Sequence, residues 1–491
     1  MAITGDDYGK KETGNKTVAH GFLNLEILKN KEHIPTLSEI FPEERERFLR
    51  YDKFRKMFRG EHRELFHDEI VRRLSTSQLE YVNYIICNFC KLVSLTSADY
   101  LFGEPHIYRV KSGNKNSQER LTQIVRDNKL HALNYRIGLG CSYRGDAFYK
   151  VRFENNFPII EPVKADIVFP EFDEDNTFKP VRVKIAWIKV KDGVPYLRLE
   201  IHEKGQIRNE MYRIRRGKVA EQVPLERVYE NPPPEVQETQ VDDFLVVHAP
   251  NWCDDEEFWG YSDYYDIETL IDELNNRYSQ VADILDKHAD PKLAVPQSVF
   301  DTLVDEKGEA DKKDLGLIGI PDDAKVLPQY LTWDAQLEHC FKEIEYILKA
   351  LMLFTETSPD LFGLEGKGPE SGRALRFRLM RTLAKVRRKA IFFDPVLKKV
   401  LYLAQALDGA FGKGPGPEEV EIEWKDGLPV DQKEQAEIEN IRTGGRPTTS
   451  LISAIKRLDD VDDETAKAEI ERMNEEVSER VKAVGIKPPE E

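Results

Sequence analysis

Four glycines, Gly363, Gly366, Gly368 and Gly372, fall within ten residues of the stretch "LFGLEGKGPESGRALRFRLMRTLAKVRRKA" (361–390). The segment 371–390 then carries eight Arg or Lys and no acid. Glycine loops ahead of helices can cradle phosphate, because backbone N–H groups come close to the anion. The spacing here does not suit nucleotide binding. A P-loop needs Gly, four residues, then Gly-Lys and a Ser or Thr hydroxyl for magnesium. Gly366-Lys367 runs instead into Gly368, and helical sequence stands where a strand should. "GLGCSYRG" (138–145) leads into strand-like "DAFYKVRF", against the strand–loop–helix order of a dinucleotide site.

Other chemistry is weakly signalled. The acidic clusters "DDEE" (254–257), with Asp263 and Asp266, and "DDVDDE" (459–464) lack the alternation and central glycine of a calcium loop. They read as helix caps and dipole partners. Ten histidines include no H-E-x-x-H, and no nucleophile–base–orienter motif stands out. Cysteines 87, 90, 141, 253 and 340 are odd in number and scattered, so a reducing compartment is expected. Cys87 and Cys90 lie in an apolar helical stretch, "YVNYIICNFCKLV", and read as buried thiols rather than a zinc or redox pair. No cofactor or metal is expected.

The formal charge of −17 argues against a protein that grips duplex DNA by its phosphates. Against it, the basic helix has three readings. It faces DNA, it pairs with acids of a neighbouring subunit, or it is a solvated face. Pairing between subunits is the favoured one, because Arg matches carboxylates bidentately. Leu375, Leu379, Leu383 and Val386 form an apolar stripe that would pack on the helix's own subunit.

The elements around this region follow from periodicity. At 491 residues the chain exceeds one compact core. Its start is polar, without the apolar core of a signal peptide, and no apolar run nears the ~18 residues of a membrane span. Residues 44–105 are mainly helical, with Ile85, Phe89, Leu92 and Val93 in helical register and a stop at Gly103 and Pro105. Residues 145–250 alternate as an antiparallel meander, with "KDG" (191–193) as a turn between "VRVKIAWIKV" and "YLRLEI". Two long helices follow, over 264–288 and 334–354, roughly 30–40 Å each at 1.5 Å per residue. Between them "PKLAVP" (291–296) and "GLIGIPDDAKVLPQYL" (316–331) signal strands, so a stalk carries a small β tip. "GKGPGP" (412–417) reads as a linker, and 431–491 as charged helices.

Five stretches, in this order, resemble the portal proteins of tailed double-stranded-DNA bacteriophages. They are "SADYLFGEP" (97–105), "GYSDYYDIETLIDELNNRYSQVADILDKHADPKLAV" (260–295), "GIPDDAKVLPQYL" (319–331), "TSPDLFGLEGKGPESGRALRFRLMRTLAKV" (357–386) and "WKDGLPVDQKEQAEIENIRTGGRPTTSLISAIKRLDDVDD" (424–463). The resemblance spans roughly residues 45–470. It implies an α+β subunit of a ring, usually of twelve copies. The parts it implies are an N-terminal arm (1–45), a wing (46–262), a first stem helix (263–289) and a clip (290–333). A second stem helix (334–354), a tunnel loop (355–372), a wing helix with linker (373–425) and a crown (426–491) complete it.

The same resemblance implies roles. Gly363, Glu365, Gly366, Lys367, Gly368 and Glu370 would face DNA in the channel. Arg373, Arg376, Arg378, Arg381, Arg387 and Arg388 would join subunits. Lys292, Asp305, Lys307, Lys312 and Lys313, in the clip, would dock the terminase large subunit. The ring would sit at one capsid vertex of the virion after assembly in the host cytoplasm. It would pass double-stranded DNA without sequence specificity at packaging and ejection. Its other partners would be the major capsid, scaffolding and head-completion or adaptor proteins; neither a membrane nor catalysis is implied. Twelve copies at −17 would give a charge on the order of −200, a field that repels DNA from the walls. A nucleotide-binding enzyme using 363–372 and a different virion ring or adaptor protein are the alternatives.

Overall fold

The computed structural model describes residues 34–67, 84–289, 293–301, 317–321, 329–330, 337–364, 372–412, 414–425, 427, 432–459 and 461–484. The chain is α+β, and its described residues divide into two compact bodies, 34–48, 167–174 and 179–244 in one and the rest in the other.

In chain order the elements begin with α1 (Leu37–Ile40), α2 (Arg45–Arg59), α3 (His62–Leu65), α4 (Phe89–Phe102), β1 (Ile107–Val110), α5 (Lys115–Asp127) and α6 (Leu130–Arg144). Ten strands or strand segments follow as β2 (Asp146–Glu154), β3 (Phe157–Val163), β4 (Val168–Asp173), β5 (Asn176–Lys191), β6 (Val194–Glu203), β7 (Gln206–Arg215), β8 (Lys218–Gln222), β9 (Val236–Glu238) and β10 (Val246–Pro250), closed after a helix by β11 (Leu293–Pro296). That helix is α7 (Glu268–Ala289). Then come β12 (Leu317–Ile320), β13 (Gln329–Tyr330), α8 (Leu337–Phe354), α9 (Gly372–Arg378), α10 (Met380–Phe411), β14 (Val420–Glu423), α11 (Gln432–Thr443), α12 (Leu451–Asp459) and α13 (Asp463–Val484).

The first body is a sheet in the order β4-β5-β6-β7-β8, with β9 also on β7. β5 and β6 pair through Val190–Pro195 to a turn at Asp192 and Gly193, both with positive φ. Such a turn matches the twist of the strands it joins. Phe169, Ala186, Leu197, Leu199, Ile201 and Ile214 form its core, and Leu37, Ile40 and Phe41 pack on it. The arm expected through residue 45 is thus folded from residue 37, because these three apolar side chains have a sheet to cover.

In the second body α7 and α8 share a core. Ile267, Ile271, Leu274 and Val281 meet Ile344, Ile347, Leu351 and Met352, with Phe54, Met57, Phe89, Cys90 and Val93 beside them. Fully burying such side chains is worth roughly 1.5–3 kcal/mol each. Arg277 adds an ion pair across the two helices, 3.0 Å from Glu343. β11 is central in a three-stranded sheet, parallel to β12 and antiparallel to β13.

Two expectations fail in this body for local reasons. The helix expected to include Ile85 begins only at Phe89. Asn88 caps it, accepting from Lys91 N at 3.0 Å. The residues before the cap bond to α7 instead: Ile85 N donates to Ser279 Oγ and Cys87 N to Asn275 Oδ1, both at 2.8 Å. Cys90 is buried while Cys87 is only half-buried.

The second failure is the linker at 412–417. Gly412 N bonds Asp408 O at 2.9 Å, and β14 then pairs antiparallel with β1. Asp408 is buried and takes Arg120 bidentately, through Nε at 2.6 Å and Nη2 at 2.5 Å. A methyl group at Gly414 would overlap that carboxylate. Glycine here permits packing, not slack.

Candidate functional site

The described chemistry of the basic run converges where α8 ends, α10 begins and the chain enters α7. α8 is stopped by Glu356, whose φ is 54°. Ser358 then caps a short 3-10 turn, Pro359–Phe362, and Gly363, at φ 67°, closes it. Gly363 N returns to Asp360 O at 3.2 Å. Positive φ is cheap for glycine alone, which accounts for that residue at the mouth of the loop.

Two lysines of the basic run point inward. Lys385 and Lys389 lie four apart, beside the buried Thr382, Leu383, Val386 and Phe393. Both meet Asp263, which is fully buried. Lys389 Nζ lies 2.5 Å from Oδ2 and Lys385 Nζ 3.3 Å from Oδ1. Ser142 Oγ donates to Oδ2 at 2.5 Å and Asn251 Nδ2 to Oδ1 at 3.1 Å. Lys389 also donates to Ser97 Oγ, and Lys385 to the Thr355 carbonyl at 2.9 Å. Burial alone would raise the Asp263 carboxyl, but the two ammonium groups together hold it well below the usual carboxylate range. Burial lowers Lys389 to about 8, against the pull of Asp263. A charge cluster so enclosed fixes elements to one another.

Three of the arginines of α9 and α10 expected to join subunits have acids on their own chain. Arg378 Nη1 lies 3.4 Å from Asp360 Oδ1, Arg381 Nε 2.9 Å from Glu356 Oε2, and Arg388 pairs with Glu356. These partners lie within 32 residues, because α10 folds back beside the end of α8. Arg376 and Arg387 are exposed. The side chain of Arg373, the loop residues Glu365, Gly366, Lys367, Gly368 and Glu370, and the clip residues Lys292, Asp305, Lys307, Lys312 and Lys313 lie outside the described residues. The apolar stripe is mostly enclosed, with Leu379 and Leu383 packed against Tyr100, Leu361 and Leu375.

A cavity of about 280 Å³ adjoins the cluster, lined in part by Trp252, Tyr265, Asp266 and Phe354. A second buried acid, Asp146, takes His248 Nε2 at 2.8 Å, Tyr51 OH at 2.6 Å and Gly260 N at 2.7 Å. The His248 ring is stacked on Phe148 and Phe258. These partners bind β2, β10 and α2 into one core. Of the acids read as helix caps, Asp462 caps α13, Asp254 closes a loop turn, and Asp263 is the buried counter-charge instead. Asp254 accepts from Glu256 N at 3.0 Å and Asp462 from Thr465 N at 2.8 Å. No helix among the described residues is long and apolar enough to cross a membrane.

A family model, Phage portal protein, SPP1 Gp6-like, matches residues 37–483. The chain belongs to this family of phage portal proteins, structural components of the particle rather than enzymes. Among solved structures, it is similar to a chain in the neck of an empty GTA particle computed with C6 symmetry, at 12% identity and TM-score 0.47 over 78% of this chain and 92% of that one. A chain in the virion of the native gene transfer agent particle gives 12% and 0.40, over 76% and 89%. The neck of the native GTA particle computed with C12 symmetry gives 12% and 0.41, over the same shares. No curated protein matches the sequence.

Proposed function

We propose that the chain is the subunit of a portal ring of twelve copies that conducts double-stranded DNA and docks the packaging motor. The family match over 37–483 is the observation that carries this reading. In it, α7 and α8 form the stem and 290–333 the clip. The segment 355–372 is the tunnel loop, α9 and α10 lie in the wing, and α11, α12 and α13 make the crown. The terminase large subunit docks on the clip; capsid, scaffolding and head-completion proteins are the other partners. The ring occupies the portal vertex after assembly in the host cytoplasm. The acidic total charge supports passage over adhesion, since like charge keeps the duplex from the walls. The test is deletion of 290–333 from the full chain. Rings of unchanged subunit number that no longer bind terminase are expected; rings that still bind it and package DNA would remove the clip assignment.

A further inference from the structure

The end of α8 is closed in a way that ordinarily calls for glycine. Glu356 N bonds Leu353 O at 3.2 Å, and Thr357 N reaches back to Met352 O at 2.9 Å. This double closure puts the residue after the helix in the left-handed region, where a β-carbon is unfavourable. The residue is Glu356, not glycine. What it contributes is its carboxylate. Arg388 donates to Oε1. Arg381 Nε stands 2.9 Å from Oε2, out of line for a hydrogen bond, so that contact is an ion pair.

The backbone around it is held by the same face of α10. Thr382 Oγ1 donates to the Glu356 carbonyl at 3.0 Å and accepts from Ser358 N at 2.9 Å. Lys385 holds the preceding carbonyl, Thr355 O. Residues 381, 382, 385 and 388 lie on one side of a helix, at the spacing that brings successive turns into line. They grip the chain just before Gly363, where the glycine-rich segment starts.

We propose that Glu356 is a positioning residue: its carboxylate, held by Arg381 and Arg388, sets the course of the chain from the end of α8 through the Pro359–Phe362 turn to Gly363, and with it the passage of DNA through the ring. This rests on the portal reading. The decisive variant is Glu356→Gly, which keeps the helix closure and removes only the carboxylate. Purified rings should match the parent in mass and melt within a few degrees of it. Particles assembled with the variant as their portal should package severalfold less DNA. Arg388→Gln, which removes one of the two ion pairs, should reproduce part of the loss, and the double variant should be no worse than Glu356→Gly alone, because the acid that Arg388 meets is then already gone. Parent-level packaging by E356G rings, or additive losses in the double variant, would overturn the proposal. Should E356G fail to assemble, Arg388→Gln alone decides, by the same two packaging outcomes. A parent protein that forms no ring would instead refute the portal reading.

Discussion

At Asp263 one buried carboxylate serves two ammonium groups. Asp263→Asn would leave Lys385 and Lys389 enclosed without a counter-charge. Removing one partner of a buried pair costs about 3–5 kcal/mol, and the urea midpoint should fall accordingly. Lys389→Met leaves Asp263 matched by Lys385 and should cost clearly less. The pH dependence has a definite sign. Lys389 is lowered to about 8 in the fold, below its ordinary 10.5, so the unfolded chain holds more protons between those values. Its contribution to stability therefore rises with pH across that window. The stability of the parent relative to Lys389→Met should rise from pH 8 to pH 10.5, measured by urea unfolding of both. Asp263 has the same sign at the acid end: its contribution is present above the ordinary carboxylate range and is lost as pH falls below it. Sequence reading placed Asp263 among capping acids because its charged partners lie more than a hundred residues away. A usable signal existed in the lysines. Two of them, four apart on the buried side of an apolar stripe, need a buried acid. Glu356 gave no such sign, since its backbone conformation is set by the end of α8 against α10.

Among the elements, periodicity read well where one face of a helix or strand meets a core. α7, α8, β5 and β6 carry their apolar residues at the expected spacing, and the 191–193 turn joins the strands. It read badly where a polar side chain redirects the backbone. Asn88 starts a helix later than the apolar pattern would have begun it, and Asp408 drew in a glycine run that resembled a linker. Gly414→Ala should displace the Asp408 carboxylate from Arg120 and lower the melting temperature; an unchanged melt would mean that the contact is unimportant. For the helix α10, Arg387 separates two roles. It is exposed, whereas Arg388 is tied to Glu356. Arg387→Glu should therefore spare the fold and weaken ring assembly, read as a larger monomer fraction by mass at equal melting temperature. Equal assembly would assign Arg387 to a solvated face.

At the scale of the molecule, the order of five stretches identified the family before any contact was known, and the family match extends over 37–483. How copies meet was not readable, because an interface between chains leaves no periodicity of its own. The basic run illustrates this: three of its arginines have partners within the subunit. The central claim is that copies of this chain surround a channel for a double helix. Electron microscopy of the purified full-length protein tests it most directly. A closed ring of about a dozen subunits, with α7 and α8 around an axial opening wide enough for a duplex, is the expected result. A monomer, or an assembly with no axial opening, would contradict it.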